Sequence, residues 1–226
     1  MESNFRYLDK TLTFEDTKIW YTNDGGNVVN VMMDWEEPMM SASAAYVCEG
    51  GGDILEIGFG MGIAANYIQS HSIDSHTICE VHPKIITKAQ EWASGKSNVT
   101  IITGSWYSNI ELLSTYDGIF WDAGFTSDTQ YISSSIPPLV KSGGRFTWYN
   151  GEYEADNCLG ISGSSYQEIS VSPTSGNNYL DNNIYYMPKK VDSSMKKMIK
   201  QNPELAKNIK KRKEIDKEID AILKRI

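Results

Sequence analysis

Short apolar runs alternate with helix-like segments between residues 53 and 149. The runs predict five strands, at Asp53–Ile57, Thr77–Val81, Val99–Thr103, Gly118–Trp121 and Arg145–Tyr149. Apolar residues spaced by three and four predict the intervening helices, over Ile63–Gln69, about Pro83–Ala93 and part of Ile132–Val140. Strands that alternate with helices form a parallel sheet that is covered on both faces, which makes the predicted fold class α/β.

The segments that flank this alternation have other patterns. Residues 1–30 are aromatic-rich and polar without a sustained period, which favours an N-terminal lid or wrapping segment. Met32–Cys48 is predicted to be a helix, because its Met, Trp and Ala residues can cover an apolar face. Pro38 is close enough to the start of this helix to be tolerated. After residue 160, Tyr166–Val171 and Asn183–Met187 predict a closing antiparallel pair. The predicted organisation is therefore a lid at 1–30, a main domain at 31–190 and a tail at 191–226.

The tail differs from the main domain in both charge and period. From Asp192 onward its apolar residues are spaced mostly by three or four, which is typical of a basic amphipathic helix or helix pair. Three interpretations stay open: a surface helix docked on its own domain, a helix that forms a homodimer, and a contact with nucleic acid or membrane. The interleaved acids, from Glu214 to Asp220, count against a simple phosphate-binding stripe.

Charge divides the chain of 226 residues, whose net charge is −8, into two unequal parts. Residues 189–226 carry 13 Lys and Arg against 6 Asp and Glu, which leaves 8 against 23 in residues 1–188. An acidic body attracts cations weakly and repels phosphate backbones. Three irregularly spaced cysteines indicate neither a disulfide framework nor a metal site. Without an apolar run of roughly 20 residues or a signal peptide, we expect a cytoplasmic protein with no membrane contact.

Three alternating glycines follow the first strand of the alternation. Gly58, Gly60 and Gly62 allow a sharp turn and a close approach of backbone to a ligand. Their spacing, G-x-G-x-G, differs from the G-x-G-x-x-G of dinucleotide folds, which argues against a dehydrogenase. Glu80, 22 residues past Gly58 at the end of the next strand, could accept both ribose hydroxyls of a nucleoside. With Glu56, which precedes the turn, this pattern fits the adenosine half of S-adenosylmethionine. The alternative is a plain tight turn.

Two further strand ends carry candidate site residues. In Gly104-Ser105-Trp106, a backbone N–H and an aromatic face could hold adenine, although Trp106 could also be a core tryptophan. Ligands of open parallel sheets bind outside the carboxyl ends of the strands. Asp122, which ends the fourth strand, therefore lies where a methyl group would be delivered, unless it only caps the strand.

Taken together, these motifs resemble guanidinoacetate N-methyltransferase and the related arginine N-methyltransferases. The resemblance rests on Val31-Met-Met-Asp-Trp-Glu-Glu-Pro-Met-Met40, on Leu55-Glu-Ile-Gly-Phe-Gly-Met61 and on Asp122 at its strand end. It continues through Lys141–Asn150 and weakly through Ile184–Pro188, and so covers about 31–190. It implies a seven-stranded class I methyltransferase (Rossmann-like) fold, with S-adenosylmethionine as methyl donor and S-adenosylhomocysteine as product.

The resemblance also implies roles for particular residues. With Glu56 from the glycine motif, the expected cofactor contacts are Met40, Glu56, Gly58, Phe59, Gly60, Met61, Gly62, Ile63, Glu80, Val81, His82, Ser105, Trp106 and Asp122. The expected substrate contacts are Met32, Glu36, Asp122, Gly151 and Glu152. No metal ligand is expected.

Glu36 and Asp122 are the expected catalytic pair. Two carboxylates can grip a planar guanidinium through paired, charge-assisted hydrogen bonds. Asp122 would accept the proton that the nitrogen loses, and Glu36 would orient the group and balance its charge. The alternative for Glu36 is a solvated surface acid beside Glu37. Two departures from the family concern the acceptor: Glu152 would repel a substrate carboxylate, and Ala123-Gly124 replaces a polar residue.

Three hypotheses of function follow, two of them in the EC 2.1.1 class of enzymes. The first is an N-methyltransferase that acts on a guanidino or amine group of a small, guanidinoacetate-like molecule. The alternatives are a protein arginine N-methyltransferase and a non-catalytic binding or assembly protein that keeps the methyltransferase shell. Methylation of nucleic acid is disfavoured, because the sequence after Asp122 lacks the Asp/Asn-Pro-Pro-aromatic loop that reaches a flipped base.

Overall fold

The computed structural model describes residues 7–123, 135–151, 159, 161 and 163–192. Its first three strands form a small antiparallel sheet in the order β1-β2-β3. They are β1 (Thr13–Phe14), β2 (Lys18–Thr22) and β3 (Val28–Met33). The predicted lid therefore contains regular strands, and β3 crosses the predicted boundary at residue 30. The predicted tail from residue 193 onward lies outside the described residues.

The main sheet has seven strands in the order β6-β5-β4-β7-β8-β10-β9. These strands are β4 (Asp53–Ile57), β5 (Ser75–Glu80), β6 (Val99–Thr103), β7 (Tyr116–Trp121), β8 (Val140–Trp148), β9 (Ser165–Ser170) and β10 (Ile184–Val191). The first five run parallel, whereas β10 is antiparallel to both β8 and β9. The predicted seven-stranded α/β fold with a closing antiparallel pair is thus confirmed.

Three α-helices cover one face of this sheet. They are α1 (Glu37–Cys48), α2 (Ile63–Gln69) and α3 (Pro83–Ala93), and the bounds of α2 and α3 are as predicted. The helices bury the side of the sheet that carries Ile54, Ile78 and Phe120. The opposite side carries Leu55, Ile119 and Trp148, which pack against Ile136, Leu159 and Ile161. Within the described residues, no helix combines the length and the apolar character needed to cross a membrane.

The predicted helix over Met32–Cys48 is wrong for its first five residues. Met32 and Met33 belong to β3, which pairs with β2, and Asp34–Glu36 form a turn of 3-10 helix. The α-helix begins only at Glu37, with Pro38 in its first turn. Proline is tolerated there because the N–H that it lacks has no partner within the helix. Strand pairing with residues 18–22 outweighs the helical pattern of the segment.

Strand β8 begins five residues before the predicted start at Arg145, and Val140 starts it instead of ending a helix. The described part of the predicted helix at 132–140 contains the 3-10 helix Pro137–Leu139. Gly143 and Gly144, which precede the predicted strand, both lie within the observed one. A Cβ on Gly144 would lie 2.8 Å from the backbone oxygen of Asp117 on β7. The glycine therefore permits a close approach of two strands beside an irregularity in their register.

Candidate functional site

The glycine turn between β4 and α2 lies against the end of β7. Gly58, Gly60 and Gly62 have φ angles of 97°, 54° and 76°, in the left-handed region that side chains disfavour. A Cβ on Gly58 would lie 2.3 Å from the backbone oxygen of Asp122. The two strand ends therefore approach so closely that only glycine fits, and the turn opens at the carboxyl edge of the sheet.

Glu80 joins the end of β5 to this turn. One carboxylate oxygen accepts a hydrogen bond from the N–H of Phe59, and the other accepts from the N–H groups of Val81 and His82, each at 2.8 Å. The side chain is only 5% exposed. Three backbone N–H groups thus fix the Glu80 carboxylate at the end of β5. This is the position at which the sequence predicts a contact with the ribose hydroxyls.

Glu36 is buried, at 4% exposure, at the end of the 3-10 turn between β3 and α1. Its Oε1 accepts hydrogen bonds from the N–H of Met33, at 2.7 Å, and from the hydroxyl of Tyr179. The neighbouring Glu37 is exposed. The alternative that Glu36 is a solvated surface acid is therefore wrong. Burial raises the pKa of Glu36 to about 7, although its two donors pull the pKa down.

Asp122 directly follows β7 and is partly exposed, although protein surrounds it closely. Among the described residues, no group donates a hydrogen bond to its carboxylate. Desolvation raises the pKa of Asp122 well above its ordinary value, and the charges of Glu36, Glu56 and Glu80 raise it further. The carboxylates of Glu36, Glu56, Glu80 and Asp122 come from four separate chain segments and interact electrostatically, and we call them the carboxylate cluster. A cluster of negative charge attracts a cation.

Glu56 faces the interior beneath the glycine turn. Its Oε2 lies 2.8 Å from Nε2 of His76, and both side chains are fully buried. The pair is close enough for an ionic contact, but its angles are not those of a hydrogen bond. Burial raises the pKa of Glu56, and His76 lowers it. Glu56 therefore acts on the site through its charge near Asp122, while its carboxylate is engaged with His76.

The remaining predicted residues lie in different settings. Met32 contacts the glycine turn, because its sulfur accepts the N–H of Met61 at 3.2 Å and sits where a Cβ of Gly60 would be. Met40 is buried in the core beside α2. Ser105 and Trp106 follow β6, and Trp106 is partly buried against the opposite face of the sheet. Gly151 is buried after β8. Glu152 lies outside the described residues.

Three residues near the site were not predicted from sequence. Tyr179 reaches Glu36 from the connection between β9 and β10. Tyr7 packs over His82 with ring centroids 5.0 Å apart, and burial, together with the nearby charge of Glu80, raises the pKa of Tyr7. His76, the second residue of β5, lies against Glu56. Each is brought to the site by tertiary packing, so no spacing in the sequence could indicate it.

The charge of the carboxylate cluster suits the cationic cofactor that the glycine motif predicts. S-adenosylmethionine carries a sulfonium charge, and the charged groups that act on Asp122 are all carboxylates. The described residues contain no group of three or more histidines, cysteines or acids that could hold a metal ion. A cavity of about 310 Å³ lies where the strands begin and is lined by Asp53, Ser75 and Tyr116, so it is separate from the carboxylate cluster.

A family model described as guanidinoacetate N-methyltransferase matches residues 15–155, more than half of the chain. The chain belongs to this family. The match includes the segment with Glu36, the glycine turn, Glu80 and Asp122. The predicted family of S-adenosylmethionine-dependent methyltransferases is confirmed.

Curated relatives carry the name protein arginine N-methyltransferase 2. The one from Kluyveromyces lactis is 38% identical over 156 residues, which cover 62% of this chain and 38% of the relative. The one from Yarrowia lipolytica is 34% identical over 166 residues, covering 66% of this chain and 34% of the relative. The chain thus matches little more than a third of the length of these relatives.

Solved structures support the fold alone, because their sequence identities are low. Spermidine synthase from Thermotoga maritima has a TM-score of 0.55 at 12% identity and covers 80% of this chain and 72% of its own. Precorrin-6y C5,15-methyltransferase from Geobacter metallireducens has a TM-score of 0.53 at 15% identity, covering 69% and 87%. Fibrillarin from Aeropyrum pernix, with S-adenosyl-L-methionine bound, has a TM-score of 0.50 at 11% identity, covering 80% and 98%.

Proposed function

We propose that this protein is an S-adenosylmethionine-dependent N-methyltransferase that acts on the guanidino group of an arginine side chain in a protein. The observation that carries the proposal is the combination of the buried carboxylate of Glu36 with the partly exposed, desolvated carboxylate of Asp122, which follows β7 beside the glycine turn. The cofactor would supply an electrophilic methyl group. Gly58 to Ile63, Glu80 and the residues after β6 would hold it.

Each of the two carboxylates has its own part in the reaction. Glu36, oriented by two donors, would accept hydrogen bonds from the guanidinium and balance its charge. Asp122 has no donor among the described residues, and its raised pKa makes it a better base than an ordinary aspartate. Asp122 would take a proton from the guanidinium. A protonated guanidinium must release this proton before the lone pair of its nitrogen can react with the methyl group.

A protein substrate is favoured over the small guanidinoacetate-like molecule that the sequence first suggested. The relatives that match at 34% and 38% identity are named protein arginine N-methyltransferase 2. Glu152 follows Gly151 where the family receives a substrate carboxylate. An arginine inside a polypeptide has no free carboxylate, so an acid at this position would not oppose its binding. The acidic body of the chain also suits a cationic peptide.

A turnover experiment with three acceptors tests the proposal. The full chain is incubated with labelled S-adenosylmethionine and arginine-containing peptides, free arginine or guanidinoacetate, and products are identified by mass. Methylated peptide, with Asp122→Asn as the inactive control, is the expected result. The name of the matching family model makes guanidinoacetate the competing acceptor. Turnover of guanidinoacetate alone would replace the proposed substrate, and no turnover of any acceptor would contradict the enzymatic proposal.

A further inference from the structure

The connection between β9 and β10, residues 171–183, brings an aromatic side chain to the carboxylate cluster. The hydroxyl of Tyr179 donates a hydrogen bond to Oε1 of Glu36, 143 residues away in sequence. Its ring lies 5.5 Å from that of Trp35 with an angle of 30° between the planes. Burial and the charge of Glu36 both raise the pKa of Tyr179, so the phenol keeps its proton and remains a donor.

Glu36 is held through one oxygen only. Met33 and Tyr179 both donate to Oε1, and no described residue bonds to Oε2. A carboxylate with two donors on one oxygen has a fixed orientation, and its other oxygen is available to a new donor. A guanidinium N–H is such a donor. The arrangement therefore leaves one oxygen of Glu36 for the substrate.

The connection that carries Tyr179 is itself attached to β3. Asn30 is buried, and its side-chain amide donates to the backbone oxygen of Gly176 at 2.8 Å and to the side chain of Asn178 at 3.2 Å. Asn178 in turn donates to the backbone oxygen of Val28 at 2.9 Å. Three hydrogen bonds thus fix the connection on the strand that leads to Glu36. The place of Tyr179 follows from this attachment.

We propose that Tyr179 is a positioning residue of the methyl-transfer site, which orients Glu36 and keeps it ionised for a guanidinium substrate. The inference rests on the proposed function for its substrate. Neither the glycine motif nor the resemblance to the family assigns a role to this tyrosine. It acts through Glu36 and need not touch the reacting atoms.

This role predicts a particular dependence on pH. The hydrogen bond from Tyr179 lowers the pKa of Glu36, which burial raises to about 7. Without the hydroxyl, that pKa rises further. The other titratable groups that act on this region are Asp122, Glu56, Glu80 and Tyr149, which remain unchanged in the variant. Because a cationic substrate needs an ionised Glu36, the acidic limb of kcat/KM then moves to higher pH.

The test is Tyr179→Phe, with Tyr67→Phe as a matched control. Tyr67 also donates to a glutamate, Glu37, at 2.6 Å, but this pair is on the surface. For Tyr179→Phe we expect KM for an arginine peptide at pH 7 to rise about tenfold, because a charge-assisted hydrogen bond is lost. The cofactor affinity, measured by calorimetry, stays within twofold. At pH 9, kcat/KM recovers most of its loss, and the control variant behaves as wild type throughout.

A second readout separates this inference from the proposed function. The carboxyl of Glu36 is titrated by nuclear magnetic resonance in side-chain-labelled protein, with no substrate present. A higher pKa in Tyr179→Phe than in wild type supports the inference, even if wild-type protein methylates no arginine peptide and the proposed function fails. An unchanged titration of Glu36, or an unchanged pH profile and KM, overturns it. A loss of cofactor affinity equal to the loss of activity would reduce Tyr179 to a structural role.

Discussion

Glu36 and Asp122 differ in how the protein holds them. Glu36 is fixed by a backbone N–H and a phenol, whereas the Asp122 carboxylate receives no hydrogen bond from the described residues. Both have raised pKa values, and burial is the main cause for each. The charge of Glu36 adds to the rise in the pKa of Asp122. A fixed carboxylate suits binding and orientation, and an unbonded one suits the acceptance of a proton.

Neutral isosteres at these two positions are expected to abolish most turnover. Glu36→Gln and Asp122→Asn keep the size of the side chain but remove the charge that a guanidinium needs. Removal of a general base alone costs roughly a hundredfold or more in rate, which applies to Asp122→Asn. Cofactor affinity should fall much less in Glu36→Gln than in Asp122→Asn, because Asp122 adjoins the glycine turn. Steady-state kinetics and calorimetry measure both quantities.

Glu37→Gln is the control for these two variants, since Glu37 is the exposed neighbour of Glu36. It should keep near-wild-type kinetics. If Asp122→Asn also turned over at the wild-type rate, the proton-transfer role of Asp122 would be wrong.

Glu80→Gln is expected to weaken cofactor binding. An amide offers one oxygen to the three backbone N–H groups that Glu80 now accepts, and its NH2 group faces the remaining donors. The loss of a charge-assisted contact should cost on the order of 1.5–3 kcal/mol, or about tenfold or more in affinity. Calorimetry with S-adenosylmethionine measures it, with the exposed Glu91→Gln as control. Equal affinities in the two variants would remove Glu80 from the cofactor site.

The sequence predicted those site residues whose position follows from a strand end. Gly58 and Asp122 come directly after parallel strands and Glu80 ends one, so the fold alone brings these candidate residues to one edge of the sheet. Tyr179 and His76 depend on side-chain packing between distant segments, which leaves no mark in local spacing. The partnership of Glu56 with His76 could not be foreseen for the same reason.

At the scale of elements, the connection over residues 171–183 depends on a few side-chain hydrogen bonds. Asn178→Ala removes the bond to the backbone of β3 and one partner of Asn30. We expect KM for the arginine peptide to rise severalfold, because Tyr179 is then held less firmly, while cofactor affinity stays unchanged. Hydrogen exchange of residues 171–183 should become faster. The side chain of Asn98 makes no hydrogen bond among the described residues, so Asn98→Ala is the control; an effect of equal size there would contradict the prediction.

The bounds predicted for helices α2 and α3 agree with the structure, because each helix has a local boundary signal. Gly62 precedes α2 in a left-handed conformation, and Pro83 opens α3 behind His82, whose side chain caps it. The segment 32–36 has no such signal. Its conformation is set by the pairing of β3 with β2 and by the bond from Met33 to Glu36. The sequence pattern therefore identified helices whose boundaries have local signals. It failed for the segment whose conformation depends on pairing with another strand.

At the scale of the whole molecule, negative charge is concentrated at the candidate site. The carboxyls of Glu36, Glu56 and Asp122 all have raised pKa values in the fold. In the protein without ligands these desolvated charges oppose folding, because each would be better solvated in the unfolded chain. The proposed cationic cofactor and substrate would compensate the same charges. The site is thus expected to be a local cost to stability that binding offsets.

This cost predicts that the ligand-free protein loses stability as pH rises. A carboxyl with a raised pKa binds its proton more tightly in the folded state, so its protonation stabilises the fold. This stabilisation is lost as pH rises from the pKa of the unfolded state through the pKa of the folded state. For Glu36 that window extends from about 4.3, the usual value of an unfolded glutamate, to about 7. The pKa of Asp53 is lowered by Lys141, so its contribution is lost only in strong acid and does not act in this window.

Urea unfolding at pH 5.5 and at pH 8 measures the effect in wild type and in Glu36→Gln. We expect the wild type to be less stable at pH 8, and the variant to remove part of that difference, on the order of 1–3 kcal/mol. Glu37→Gln should leave the difference unchanged, because Glu37 is exposed. The variant would thereby be more stable than wild type at pH 8 and yet inactive, which is the mark of a charge kept for binding. If the stability of Glu36→Gln depended on pH as that of wild type does, ionisation of Glu36 would not destabilise the fold. A cationic group of the chain would then have to compensate the buried charge of Glu36.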